Sequence, residues 1–211
     1  MRELNYKLIV SDFDGTLLSD KYDIPESVKV KISEYVEAGG VFAVCTGRML
    51  KSILPQVRAL NLKGIVVAYQ GTVIADIESG KLLKNGGFST EKAVEICACL
   101  EKIGANINVY SGENLYTNVP ADNPYLKQYE SITGVNAISV TDMPISEFVK
   151  KNKLYCQKTA SLVFPNEREE LYKKVNAAVG EEFDVTCSAA VLVEVSPKGD
   201  DNGAELKYLA D

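Results

Sequence analysis

The chain has 211 residues, 46% hydrophobic and 25% charged, the balance of a globular protein long enough for one large or two modest domains. Its formal net charge of −6 argues against general affinity for nucleic acid or an anionic membrane, although a few local cations and backbone N–H groups can still hold a phosphate. The absence of histidine excludes Ser-His-Asp and Cys-His catalysis, imidazole acid–base chemistry and His-zinc sites, which leaves carboxylates, hydroxyls, amines and metals to act.

Leu8-Ile9-Val10 predicts a first strand, and it runs directly into Asp12-Phe13-Asp14-Gly15-Thr16. Two carboxylates cannot stay in a core without partners, so they must emerge at the strand's carboxyl end, where open α/β sheets place their ligands. Residues i and i+2 of an extended segment point to one side, which makes Asp12 and Asp14 neighbours, and Gly15 permits a sharp turn after them. Such a pair can divide its labour, one carboxylate as nucleophile and the other handling protons.

A helix is expected from Pro25 to Ala38, with Val28, Ile32 and Tyr35 or Val36 on one face and Gly39-Gly40 as its stop. Val41–Cys45 reads as a strand covered on both faces, followed by a helix around Lys51 to Leu60 that Pro55 kinks or begins. Gly64–Tyr69 predicts a third strand. The alternation implies parallel βαβ units. Thr72–Ile77 and Lys81–Leu83 flank Ser79-Gly80 as a hairpin.

Beyond it the rhythm changes to that of a second α/β module. A helix is expected over Glu91–Ile103, strands over Asn106–Tyr110 and Thr159–Phe164, and a helix start at Asn123-Pro124. A helix reaching Val179 is expected to be capped reciprocally by Asn166 and Glu169. Phe183–Cys187 and Val191–Val195 read as paired strands leading back to the first module. Tyr110, Tyr116 and Asn118 fall on strands of this module, where core packing or an ordinary strand surface explains them as well as a cleft-facing role.

The five cysteines, Cys45, Cys97, Cys99, Cys156 and Cys187, form no metal-like array and read as reduced, mostly buried thiols. No apolar stretch approaches a membrane span and the start of the chain lacks a signal-peptide core, so a cytoplasmic protein without membrane or nucleic-acid partners is expected.

Asp12-Phe13-Asp14-Gly15-Thr16-Leu17 resembles the first motif of the haloacid dehalogenase superfamily of aspartate-nucleophile phosphotransferases, and Thr46-Gly47-Arg48 at the end of the second strand resembles its second motif. The layout is similar to the Cof-like branch. That resemblance implies an α/β fold: a Rossmann-like parallel-sheet core over residues 1–81 and 190–211, incomplete at its C-terminal end, with an inserted α/β cap over 82–189. It implies a phosphatase for a small phosphorylated metabolite, such as a sugar phosphate. Asp12 is then the nucleophile and Asp14 the acid–base group, and Mg²⁺ is bound by the Asp12 carboxylate and the Asp14 carbonyl. Thr46, Gly47 and Gly15 become phosphate-binding residues, and Arg48 supports the loop or the substrate. Gln70-Gly71, where relatives commonly carry Asn-Gly, reads as a structural turn.

Two departures stand out. In Gly199-Asp200-Asp201-Asn202-Gly203, Asn202 occupies the position of the family's phosphate-binding lysine, and Lys198 lies four residues earlier. An asparagine donates a hydrogen bond but carries no charge. The chain also stops at Asp211 without the family's Gly-Asp…Asn-Asp motif, whose acids complete the metal site and whose strand flanks the first one. Impaired activity, a fragment of a longer protein, and self-association over an exposed strand edge are the expectations that follow. A non-catalytic remnant binding a phosphorylated ligand or a protein, and a phosphomutase, stay open as rival readings.

Overall fold

The computed structural model describes residues 4–18 and 23–199. They fall into two compact units, the first ending at Asn85 and the second spanning Gly86–Gly199.

The first unit is a five-stranded sheet whose spatial order repeats its order in the chain. Strand β1 (Leu8–Asp12), helix α1 (Glu26–Glu37), strand β2 (Val41–Cys45), helix α2 (Leu50–Ala59) and strand β3 (Ile65–Ala68) form the predicted alternation, and β1, β2 and β3 pair in parallel. Strands β4 (Val73–Asp76) and β5 (Leu82–Asn85) add antiparallel to it. Their turn is held by Asp76, whose Oδ1 accepts from Ser79 N at 2.7 Å and Ser79 Oγ at 2.5 Å. Those bonds, the hydroxyl's first, hold the Asp76 carboxyl below its usual range.

Local chemistry explains the boundaries. Pro25 precedes α1, where its missing N–H costs nothing, and Gly39 leaves the helix with φ +94°. Gly64 enters β3 at φ +107°, and a Cβ there would stand 2.2 Å from the Phe42 carbonyl oxygen, so only glycine lets β2 and β3 approach. Helix α2 begins at Leu50, five residues before Pro55, and buries Ile53 and Val57 completely. Of the face expected of α1 only Ile32 is buried; Val28 and Tyr35 line an open apolar groove with Ile9 and Phe42. Strand β1 is the sheet's edge among the described residues.

The second unit holds strands β6 (Asn108–Ser111), β7 (Asn114–Thr117), β8 (Ala137–Ser139), β9 (Lys158–Leu162), β10 (Phe183–Ala189) and β11 (Leu192–Pro197), in spatial order β10-β11-β9-β6-β7-β8. Helices α3 (Thr90–Lys102), α4 (Pro124–Thr133), α5 (Ile145–Lys151) and α6 (Arg168–Val179) accompany them. Alternation along the strands separates two faces. Val109, Val193 and Val195 pack with Ile96, Cys97, Leu100, Val149 and Val175 of α3, α5 and α6. The opposite face packs Leu162 and Leu192 against Leu126 and Tyr129 of α4, and it carries the buried ion pair Lys158–Glu194 beside the Tyr110–Tyr129 hydroxyl pair (2.6 Å).

Three expectations change. The boundaries expected at 81/82 and 189/190 lie instead at 85/86 and 199/200, because Leu82–Asn85 completes the first sheet and β11 pairs with both β9 and β10 in the second. The reciprocal Asn166–Glu169 cap is not formed: Glu167 is the N-cap of α6, without a side-chain cap bond. Strand β8 and helix α5 answer to no predicted element; Tyr116 lies on a strand as expected, β7, whereas Asn118 falls just past its end. Asn123 does cap α4, accepting from Tyr125 N at 2.9 Å and Leu126 N at 3.3 Å. No helix among the described residues is long and apolar enough to cross a membrane.

Two predictions arise from this packing. Glu194→Gln leaves the Lys158 ammonium buried without its counter-charge and is expected to cost about 3 kcal/mol or more, most of it recovered by replacing both residues with Met and Leu; thermal melts followed by near-UV circular dichroism measure this. Burial pushes the Cys97 thiol far up and that of Cys156 up to about 12, whereas Cys187 is exposed. Iodoacetamide at neutral pH should therefore label Cys187 first, and Cys97 and Cys156 only after unfolding, as peptide mass mapping would reveal.

Candidate active site

The loops that follow β1, β2 and β3 meet at the sheet's carboxyl edge. Asp12 is the last residue of β1 and stands opposite Cys45, the last of β2. The pairing continues one step further, with Phe13 N donating to the Cys45 carbonyl at 3.1 Å. Phe13 is fully buried and turns the chain, so Asp12 and Asp14 flank it with exposed side chains. The loop then closes on itself: Leu17 N donates to the Asp12 carbonyl at 3.2 Å and Leu18 N to the Phe13 carbonyl at 2.8 Å. Gly15 sits at φ +74° inside that closure.

Thr46 is buried and tied to the third loop. Its N–H donates to the Val67 carbonyl at 2.9 Å and its carbonyl accepts from Gln70 N at 3.0 Å. Its Oγ1 accepts from Arg48 N at 3.2 Å, a bond that leaves the hydroxyl's own hydrogen unused.

Arg48 joins the first two loops. Its Nε donates to Asp14 Oδ2 at 2.9 Å and its Nη2 to Asp14 Oδ1 at 2.6 Å, the parallel two-bond geometry for which guanidinium and carboxylate are matched. Nη1 donates to Oε1 of Gln56 on α2 at 2.9 Å, and Gln56 Nε2 donates to the Ser52 carbonyl at 3.1 Å. The guanidinium lies 5.6 Å from the centre of the Phe13 ring.

Gln70 is the residue whose part sequence reasoning underrated. Tyr69 and Gln70 both take left-handed backbone conformations, φ +53° and +58°, which side chains other than glycine seldom adopt. Consecutive strained residues cluster at working sites. The Gln70 side chain approaches to 3.4 Å of the point where a Cβ of Gly47 would stand, so Gly47 opens the space into which the third loop reaches. The available signal was a Tyr-Gln-Gly stop on an apolar run, too short to reveal the strain.

Asp12, Asp14, Gly15, Thr46, Gly47 and Arg48 thus share one sheet edge. Lys198 lies in the second unit, where its Nζ donates to the Glu181 carbonyl at 2.8 Å. Asn202 lies outside the described residues. The edge cluster carries two carboxylates and one guanidinium, the latter paired with Asp14, so a phosphate dianion would meet a net negative charge. The oxygen-only donors of Asp12 and Asp14 suit a hard divalent cation that keeps most of its waters. Among the described residues no group of three or more acids and cysteines could hold such an ion by itself.

The sequence model of the haloacid dehalogenase-like hydrolases matches residues 9–211. The chain is 24% identical over 209 residues to the HMP-PP phosphatase of Serratia proteamaculans, covering 97% of this chain and 72% of that protein. It is 30% identical over 111 residues to the phosphatase YwpJ of Bacillus subtilis, covering 53% of this chain and only 39% of that protein. Among solved structures, TM0651 from Thermotoga maritima superposes with a TM-score of 0.80 at 25% identity, over 97% of this chain and 74% of that one.

Gly15→Ala isolates the backbone requirement of the first loop. No atom lies within 4 Å of the added Cβ, so the expected cost is about 1 kcal/mol of left-handed strain without a steric clash, read as a modest drop in melting temperature.

Proposed function

The chain belongs to the haloacid dehalogenase-like hydrolases as an enzyme of the phosphatase kind, and from that premise we propose that it hydrolyses small phosphorylated metabolites through an aspartyl-phosphate on Asp12. The observation that carries this reading is the convergence of the Asp12–Asp14 pair with Thr46, Gly47 and Arg48 at the carboxyl edge of three parallel strands.

An oxygen of the Asp12 carboxylate attacks phosphorus, and the bond from phosphorus to the leaving oxygen breaks. Asp14 gives its proton to that oxygen. It then takes a proton from the water that attacks the aspartyl-phosphate, which releases phosphate and restores Asp12. The Thr46 hydroxyl and the N–H groups around Gly47 and Gly15 bind the phosphoryl oxygens, where charge spreads in the transition state. Asn202 offers one more donor without a charge. The Asp12 carboxylate and the Asp14 main-chain carbonyl would hold Mg²⁺, which when bound offsets the charge of the phosphoryl group. The unit Gly86–Gly199 is the part we assign to substrate selection, as the inserted cap of the family. The likeness to the Serratia HMP-PP phosphatase supports a small phosphorylated substrate.

The test is phosphate release from a panel of sugar, nucleotide and cofactor phosphates with added Mg²⁺. Asp12→Asn is expected to lose activity by about a thousandfold or more, since an amide cannot form the intermediate, and chelation with EDTA should abolish turnover until Mg²⁺ is restored. Equal rates for the wild type and Asp12→Asn would refute the proposal.

A further inference from the structure

Arg48 carries more bonds than a loop residue requires, and they link the first loop to helix α2. Three of its five N–H donors are engaged, two on Asp14 and one on Gln56. Gln56 is itself fixed to the main chain of α2, and the buried Phe13 ring lies alongside the guanidinium. The result is a continuous chain, Ser52 carbonyl–Gln56–Arg48–Asp14, from a helix packed by Ile53 and Val57 to a carboxylate on a half-exposed loop. The side chain of Arg48 is 20% exposed and that of Asp14 48%. The more buried partner, anchored through Gln56, therefore sets the geometry of the other.

Resting on the reading of Asp14 as the proton-transferring group, we propose that Arg48 is a positioning residue for that proton transfer. It sets where the Asp14 carboxylate points and is not itself a ligand of the phosphoryl group. While Asp14 is ionised it matches the charge of Arg48 and takes two of its donors, so in that state the guanidinium has little to offer a dianion. A planar fork holding both oxygens fixes the carboxylate in translation and rotation, the kind of orientation on which a proton transfer depends. Gln56 extends the assignment: it touches neither Asp14 nor a reacting atom, yet it anchors the fork.

Leaving-group chemistry separates this role from its rivals. When an alkyl phosphate reacts, the departing alkoxide must receive a proton from Asp14 as the phosphorus–oxygen bond breaks. When p-nitrophenyl phosphate reacts, the phenolate departs as a stable anion and that proton is dispensable. The quantity to compare is kcat/KM, which reports steps up to the departure of the leaving group and not the later attack of water.

The experiment measures kcat/KM with Mg²⁺ for a primary alkyl phosphate, a hexose 6-phosphate, and for p-nitrophenyl phosphate, in the wild type, Asp14→Asn, Arg48→Ala, Arg48→Lys and Gln56→Ala. Thermal melts verify that each variant folds. Arg48→Ala is expected to follow Asp14→Asn, losing about a hundredfold on the alkyl ester and about tenfold less than that on the aryl ester. Arg48→Lys is expected not to restore the alkyl ester, because an ammonium cannot make the two parallel bonds. Gln56→Ala should show a smaller loss with the same selectivity. Equal losses on both esters in Arg48→Ala, no loss on either, or full rescue by lysine would each overturn the inference. A wild type that hydrolyses neither ester, or only the aryl one, or an Asp14→Asn variant without leaving-group selectivity, would overturn the underlying reading of the site instead.

Discussion

Two carboxylates at the end of an apolar strand demand a cation, and the local structure of the first unit is arranged around supplying one. The parallel register of β1 and β2 sets Asp12 against Cys45, so the residues after each strand leave the sheet side by side. Three residues past Cys45 the chain reaches Arg48, whose fork then meets Asp14. An ion pair this exposed contributes less than about 1 kcal/mol to folding. Its value is geometric: it makes the first loop answer to the second, and through Gln56 to a packed helix. The third loop joins by a different device, the strained Tyr69-Gln70 backbone, whose amide holds the Thr46 carbonyl. Thr46 is therefore fixed at its amide, its carbonyl and its hydroxyl, while Asp12 is left facing solvent.

Much of this was legible from residues alone where one-dimensional signals are strong. Val41–Cys45 forms the strand its unbroken apolar run predicts, α1 lies between Pro25 and Ala38, and Asn123-Pro124 opens α4. The Asp12-x-Asp14 and Thr46-Gly47-Arg48 segments were recognisable because strand context and motif agree. What pairs with what was not legible, since register is a property of two segments. Val191–Val195 has the composition of a strand for either sheet, and only its ladders with β9 and β10 assign it to the second. Asn166 and Glu169 have the spacing of a reciprocal cap, but the helix starts at Arg168 and leaves Asn166 outside. The Arg48–Asp14 bonds join residues 34 positions apart, beyond the reach of any local pattern.

The second unit shows a subtler limit. Alternating polar residues in a strand ordinarily mark a solvated face, yet here the alternate positions of β6, β9 and β11 place Tyr110, Lys158 and Glu194 under α4, where they are almost wholly buried. Tyr116, on the other face, packs against Phe148 of α5 at 5.1 Å between ring centres. The two tyrosines that looked equivalent in sequence therefore belong to different layers. A sheet covered on both faces, one covering apolar and the other built on an ion pair and a hydroxyl pair, cannot be told from a one-faced sheet by period alone.

The charge balance of the edge cluster leads to a final step. The resemblance sets Asn202 against the family's phosphate-binding lysine, and the one guanidinium among the described residues of the cluster is bonded to Asp14. A protein cation dedicated to orienting a carboxylate cannot also neutralise a dianion without releasing it. On the proposed function, the attraction for phosphate comes from main-chain N–H groups, the Thr46 hydroxyl and a cation held by the acids themselves. The exposure of both acids beside a buried Phe13 accords with the proposed cation site, since a carboxylate desolvated beforehand would lose the charge that attracts a hydrated cation. Phe13, Thr46 and Tyr69 are buried in this edge, while Asp12 and Asp14 remain open to water.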